Sequence, residues 1–171
     1  MVVVPVPVKV AGLGVVVAVA AYLAFGADSE PPAVWDRPNP VATFETTLGR
    51  FEAEIFMDRV PRTASNFIDL ATSGFYDGIH FHRVIDDFMI QFGCPHARNP
   101  KSKKAGSGGP TDGSFWNLAR NASEARFGGG NIRDEFVSQD SNVPGTLSMA
   151  NTGARHSGGS QFFVDAGAAR G

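Results

Sequence analysis

Residues 145–164 leave few folds open to this chain. Gly145-Thr146-Leu147-Ser148-Met149 reads as a short apolar strand, Ala150-Asn151 as a step of small residues, and the glycines around 153 and 159 as a turn. Gln161-Phe162-Phe163-Val164 then reads as a returning strand. Upstream, Phe81-His82-Arg83-Val84-Ile85 and Phe88-Met89-Ile90-Gln91-Phe92 have the same character, with Asp86-Asp87 as the bend between them. Short strands joined by tight polar or glycine turns imply antiparallel pairing.

The rest of the chain fits that frame. Residues 41–48 read as a strand, Leu48-Gly49 as a tight turn, and Phe51, Ala53 and Ile55 alternate with Glu52 and Glu54, as in a strand with one buried face. Pro61 suits a first helical position; Ala64, Phe67, Ile68 and Ala71 follow at i, i+3, i+4, i+7, and Gly74 suits the residue that ends the helix. Strands are expected at 79–85 and 88–92, with Phe81 and Arg83 on one face and His82 and Val84 on the other. From 95 to 130 the periodicity dissolves into Lys101, Lys103, Lys104, Gly106-Ser107-Gly108-Gly109-Pro110 and Gly128-Gly129-Gly130, read as a long loop. Twenty glycines and eleven prolines among 171 residues agree with a turn-rich, mainly β protein.

Composition narrows the function classes. The net charge of -2 gives no reason to expect a polyanionic partner, and the run Arg98, Lys101, Lys103, Lys104 reads as a solvated loop, not a nucleic-acid site. Cys94 is the single cysteine, which excludes an intrachain disulfide and a multi-cysteine zinc site. His80-x-His82 lacks carboxylate or thiol ligands at familiar spacing, so no metal is expected. Nor is there a phosphate loop or a Gly-x-Ser-x-Gly nucleophile elbow. Asn121-Ala122-Ser123 is a glycosylation sequon, meaningful in a eukaryotic secretory lumen.

The amino terminus differs from the remainder. Residues 10–27 are eighteen uncharged positions rich in Val and Ala, between Lys9 and Asp28. That approaches the roughly 20 residues that span a bilayer and exceeds the usual signal-peptide core. Residues 1–27 therefore read as a hydrophobic helix serving as a signal peptide or membrane anchor. Lys9 on its amino side favours an extracytoplasmic or secretory-lumen location for the rest, anchored or secreted. Residues 28–40, with Pro31, Pro32, Pro38 and Pro40, read as an extended linker.

Phe81-His82-Arg83 followed by Phe88-Met89-x-Gln91, with Ala150-Asn151 and Gln161-x-Phe163 downstream, resembles the groove of the cyclophilin-type peptidyl-prolyl cis-trans isomerases. The resemblance covers about residues 41–164. It implies an antiparallel β-barrel with helical caps over 41–171 and an insertion around 112–130. It also implies an isomerase of X-Pro bonds in protein folding that needs no cofactor. Arg83 then matches the catalytic arginine and Gln91 its support; Phe88, Met89 and Phe163 line the proline pocket. Ala150, Asn151 and Gln161 match residues that bind the substrate backbone and preceding side chain. His82 matches a groove-edge histidine, and Gly106 the glycine-rich loop beside the groove.

Departures from the family pattern set further expectations. Phe92 stands where the family commonly has glycine, and the turn at 154–159 is one residue longer. An aromatic, a leucine and a histidine should follow Phe163, yet residues 165–171 supply none, so the barrel is expected to lack its last strands and to be marginally stable. The expected partners are proline-containing polypeptides, the membrane through the amino-terminal segment, and no nucleic acid; the expected state is a monomer. The alternative reading is a non-catalytic module that binds proline peptides in a truncated groove.

Overall fold

A computed structural model describes residues 8–11, by backbone alone, together with 34–136 and 140–167. Strands run at β1 Val8–Ala11, β2 Val41–Thr46, β3 Gly49–Glu54, β4 Arg83–Ile85, β5 Met89–Phe92, β6 Gly113–Asn117, β7 Ala122–Arg126, β8 Leu147–Met149 and β9 Phe162–Asp165. Helix α1 spans Pro61–Thr72, and a 3-10 turn spans Pro95–Arg98. The strands form three antiparallel sheets, ordered β1-β2-β3, β4-β5-β9-β8 and β6-β7.

The mainly β expectation holds; a closed barrel does not form among the described residues. Closure requires every strand to have two neighbours, and β3 and β8 are outer strands of separate sheets. Helical cover among the described residues is one α-helix, where caps in the plural were expected. Val8–Ala11, which fall within the amino-terminal helix expected over 1–27, are instead a strand paired with β2, Val10 with Ala42 and Ala11 with Val41; the rest of residues 1–27 lies outside the described residues. No helix among the described residues is long and apolar enough to cross a membrane.

The β2–β3 hairpin follows its alternation. Ala42 and Phe44 are fully buried, and Phe44 pairs with Phe51 across the ladder with rings stacked at 4.5 Å. Helix α1 starts at Pro61 and buries Ala64, Phe67, Ile68 and Ala71. Its first free N–H groups are met from a distance: the Glu135 carboxylate accepts from Arg62 N at 3.0 Å and Thr63 N at 2.8 Å. Gly74, at φ +73°, ends it, with Gly74 N bonded to Ala71 O and Phe75 N to Leu70 O. That pair of bonds is the Schellman pattern, which an L-side chain at Gly74 would strain.

Phe67, Phe44, Phe92, Phe162 and Tyr76 join the β1-β2-β3 and β4-β5-β9-β8 sheets and α1 in one aromatic core. Phe92 meets Phe44 edge-on at 5.7 Å, and Phe67 meets Phe162 at 5.2 Å. Phe92, set where a glycine is common in the family, is thus a core residue at 1 % exposure.

Two segments depart from expectation. Strand β4 begins only at Arg83; residues 79–82 form no strand, with His80 N bonded to Ala97 O and His82 N to Gln91 O. The predicted sharing of a face by Phe81 and Arg83 fails for that reason: Phe81 packs on Phe92 at 5.1 Å while Arg83 turns to Gln91. The predicted loop at 95–130 contains the β6–β7 hairpin, which includes most of the expected insertion. Its inward residues, Phe115, Asn117 and Arg126, are mostly polar and gave no apolar alternation.

Candidate active site

Strand register builds the site. Residues directly opposite in an antiparallel ladder share a face, so Arg83, Gln91, Phe163 and Ser148 form one row across β4, β5, β9 and β8. Two residues along, Ile85, Met89 and Asp165 form the next row on that face. The opposite face carries Phe92, Phe162 and Met149 towards the core. Alternation on β5 thus sends Phe92 inward to hold the sheet and Gln91 outward to the groove.

A chain of side-chain hydrogen bonds crosses the row. Arg83 Nη1 donates to Gln91 Oε1 at 3.4 Å, and Gln91 Nε2 donates to Gln161 Oε1 at 2.9 Å. Gln161 Nε2 donates to both Gly106 O and Gly108 O at 2.9 Å. The guanidinium is exposed, and the amide relay restrains it. Gln161 thereby ties Arg83, through Gln91, to the glycine-rich loop, and Gly108 joins the site without having been singled out from the sequence.

The close approach of β5 to β9 makes this possible. Gly93, at φ +96°, lies against the Ser160 carbonyl, where a Cβ would collide. Ser160 Oγ donates to Gly93 O at 2.7 Å, and the Tyr76 hydroxyl donates to Ser160 O at 3.2 Å. Burial pushes the Tyr76 phenol well above its usual range, against a smaller opposite pull from Arg126, so it remains a donor.

Met89 is buried and Phe163 half-buried, diagonal neighbours on the groove face. Phe88 sits in the β4–β5 turn, 52 % exposed, with its carbonyl accepting from Ala166 N at 2.9 Å. Ala150 N donates to Gln161 O at 2.8 Å, which fixes the small-residue step beside the groove. Asn151 is exposed, and its side-chain oxygen accepts from Gly153 N at 2.9 Å. Beyond β8 the surface deepens into a cleft of about 630 Å³ that shares Ser148, Asn151 and Phe163 with the groove and reaches Val60, just before α1, and Thr63 in its first turn. Ser148 escaped the sequence reading; the β8–β9 register is the signal that finds it.

His82 forms the edge under Gly106, whose Cα hydrogens face the imidazole. Both His82 ring nitrogens are buried without a hydrogen-bond partner. Burial, then neighbouring His80 and Arg83, lower its pKa from 6.5; the Gln161 side chain opposes this in part. That opposition is weak in geometry, since the N–H groups of Gln161 already serve Gly106 and Gly108. Cys94 is fully buried under the same loop, its sulfur accepting from Gly108 N.

Residues 41–170 match the family model for cyclophilin type peptidyl-prolyl cis-trans isomerases. A peptidyl-prolyl cis-trans isomerase of Synechococcus elongatus is 39% identical over 123 residues, 72% of this chain and 66% of the relative. One from Arabidopsis thaliana is 43% identical over 122 residues, 71% of this chain and 62% of the relative. Among solved structures, a cyclophilin type isomerase of Cryptosporidium parvum aligns with a TM-score of 0.58 at 29% identity, over 75% of this chain and 67% of its own. The same Cryptosporidium protein, solved in the presence of the dipeptide Ala-Pro, aligns with a TM-score of 0.56. The chain spans no more than about two thirds of the length of the curated relatives just described. Sequence and fold agree, and the chain belongs to the cyclophilin-type peptidyl-prolyl cis-trans isomerase family.

Proposed function

We propose that this chain accelerates cis-trans isomerisation of X-Pro bonds in polypeptides, with Arg83 stabilising the twisted amide. The barrier is roughly 18–20 kcal/mol because the C–N bond is partly double. Twisting takes the proline nitrogen lone pair out of conjugation and makes it a hydrogen-bond acceptor. A guanidinium beside it donates there only in the twisted state, and selective binding of that state lowers the barrier. No cofactor or covalent step enters this chemistry.

The relay from Arg83 through Gln91 to Gln161 carries the reading. It restrains a flexible cation next to an apolar floor of Met89 and Phe163, with Phe88 at the rim. His82, Gly106, Ala150, Asn151 and Gln161 bound the side where the peptide backbone lies. The Cryptosporidium relative's structure with Ala-Pro supports a proline peptide as the ligand class.

Isomerisation of a short Ala-Pro peptide, followed by exchange NMR, tests it. Arg83→Ala is expected to lower kcat/KM about 100-fold, the loss typical of one transition-state donor, and Arg83→Lys to recover part of it. Equal rates for the parent protein and Arg83→Ala remove Arg83 from the mechanism. The apolar run at 10–27 supports, separately, an extracytoplasmic location. Fractionation of a carboxyl-terminally tagged chain checks it, and recovery only in the cytosol refutes it.

A further inference from the structure

We infer that the basic loop beside the groove selects proline peptides carrying Asp or Glu close to the proline. This rests on the isomerase reading and names the substrate class of the same groove. Between Pro95 and Thr111 the chain carries Arg98, Lys101, Lys103 and Lys104 and no carboxylate. Lys101, Lys103 and Lys104 are exposed, and none is paired with a carboxylate among the described residues. Their charge is therefore available to a ligand.

The backbone carrying those lysines is fastened by local hydrogen bonds. Arg98 fastens its start by donating to the Phe75 and Asp77 carbonyls while lying over the Phe75 ring. Asn99 Oδ1 accepts from Lys101 N, Ser102 Oγ from Lys104 N, and Lys104 O from Ser107 Oγ at 2.8 Å. Its far end is Gly106, which touches His82 and accepts from Gln161. At about 3.8 Å per residue, the Cα atoms of Lys104 and Lys103 lie within about 8 and 11 Å of that of Gly106. Those spans are comparable to the ~8–10 Å Debye length at physiological salt.

The groove is consequently polar along its length. Asp86 and Asp87 occupy the β4–β5 turn and Asp165 the end of β9, so the far end is acidic while the Gly106 end is basic. A carboxylate on the substrate is drawn to the lysine end and repelled from the other. Charges at a rim act mainly on encounter and are weakened by salt.

Three otherwise identical X-Pro peptides flanked by Glu, Gln or Lys, assayed for kcat/KM at low and high salt, test the inference. The placement of the flanking residue is varied on both sides of the proline. Glu is expected to exceed Gln, and Gln to exceed Lys, by about fivefold overall at low salt. The difference should vanish in high salt and in the triple variant K101Q/K103Q/K104Q, whose rate on the Gln peptide stays at the parent value. Equal kcat/KM for the three peptides overturns the charge preference and leaves the isomerase reading intact. Failure to turn over even the Gln peptide overturns the isomerase reading instead. Fluorescence anisotropy with the same peptides then decides the preference: tighter Glu binding lost in the triple variant supports it, and equal affinity refutes it.

Discussion

His82 places a titratable ring where neither nitrogen finds a partner, beneath Gly106 and next to His80 and Arg83. Burial and the neighbouring His80 and Arg83 disfavour the imidazolium, so the folded pKa lies below the unfolded value of 6.5. Between those two values the unfolded chain binds more protons than the folded one. Stability therefore rises with pH through that window and is lost as pH falls below about 6.5. Melting temperatures measured from about pH 7.5 down to about pH 5 should fall, and His82→Gln should flatten the decline. An unchanged slope in the variant would show that another group sets it. Asp112 acts with the same slope at lower pH, since the Gly130 and Gly129 N–H groups hold its carboxyl below the usual range.

At the scale of elements, helix α1 and the β6–β7 hairpin are joined by charge. Arg62 Nε pairs with the Glu124 carboxylate, both largely buried, and Asn117 Nδ2 donates to the same carboxylate. Arg126 pairs with Asp69 and donates to Asn66 Oδ1 at 2.7 Å, and Ser65 Oγ accepts from Leu118 N at 3.0 Å. Arg62→Ala leaves Glu124 buried without its cation and should cost about 3–5 kcal/mol in denaturant unfolding. Arg62→Met with Glu124→Leu should restore most of that loss; no restoration would mean that the ion pair is not what joins the two elements. Anchoring by charge also explains what the sequence concealed. Helix α1 and the β2–β3 hairpin bury periodic apolar residues and were legible to within a residue or two. The β6–β7 hairpin buries two polar side chains, Asn117, which bonds within the hairpin, and Arg126, whose partners on α1 are some 60 positions away in the chain, so no local apolar pattern announces it. The strands expected at 88–92 and 161–164 were legible, yet Phe81 was assigned to the wrong face because strand pairing starts only at Arg83.

Over the whole molecule, one aromatic core holds the groove sheet to the β2–β3 hairpin and α1, and Phe92 is at its junction. Its ring meets Phe44 of β2 at 5.7 Å, Tyr76 at 6.0 Å, Phe81 at 5.1 Å and Phe162 of β9 at 6.4 Å. Phe92 is also the chain neighbour of Gln91 and of Gly93, so the packing that stabilises the fold fixes the height of the row Arg83, Gln91, Phe163 and Ser148. In a protein whose β3 and β8 edges have no strand neighbour among the described residues, that ring supplies order which a closed ladder would otherwise give. Removing it as Phe92→Gly takes away a buried ring and adds backbone freedom in β5, a loss of about 4–5 kcal/mol or more. That is comparable to the whole stability of many domains. The variant should therefore lose near-ultraviolet circular dichroism and its cooperative melt, and with them the proposed isomerase activity. Phe92→Leu, which keeps most of the volume, should retain both at a lower melting temperature. A Phe92→Gly protein that melts cooperatively near the parent temperature would show that the sheets are held together elsewhere.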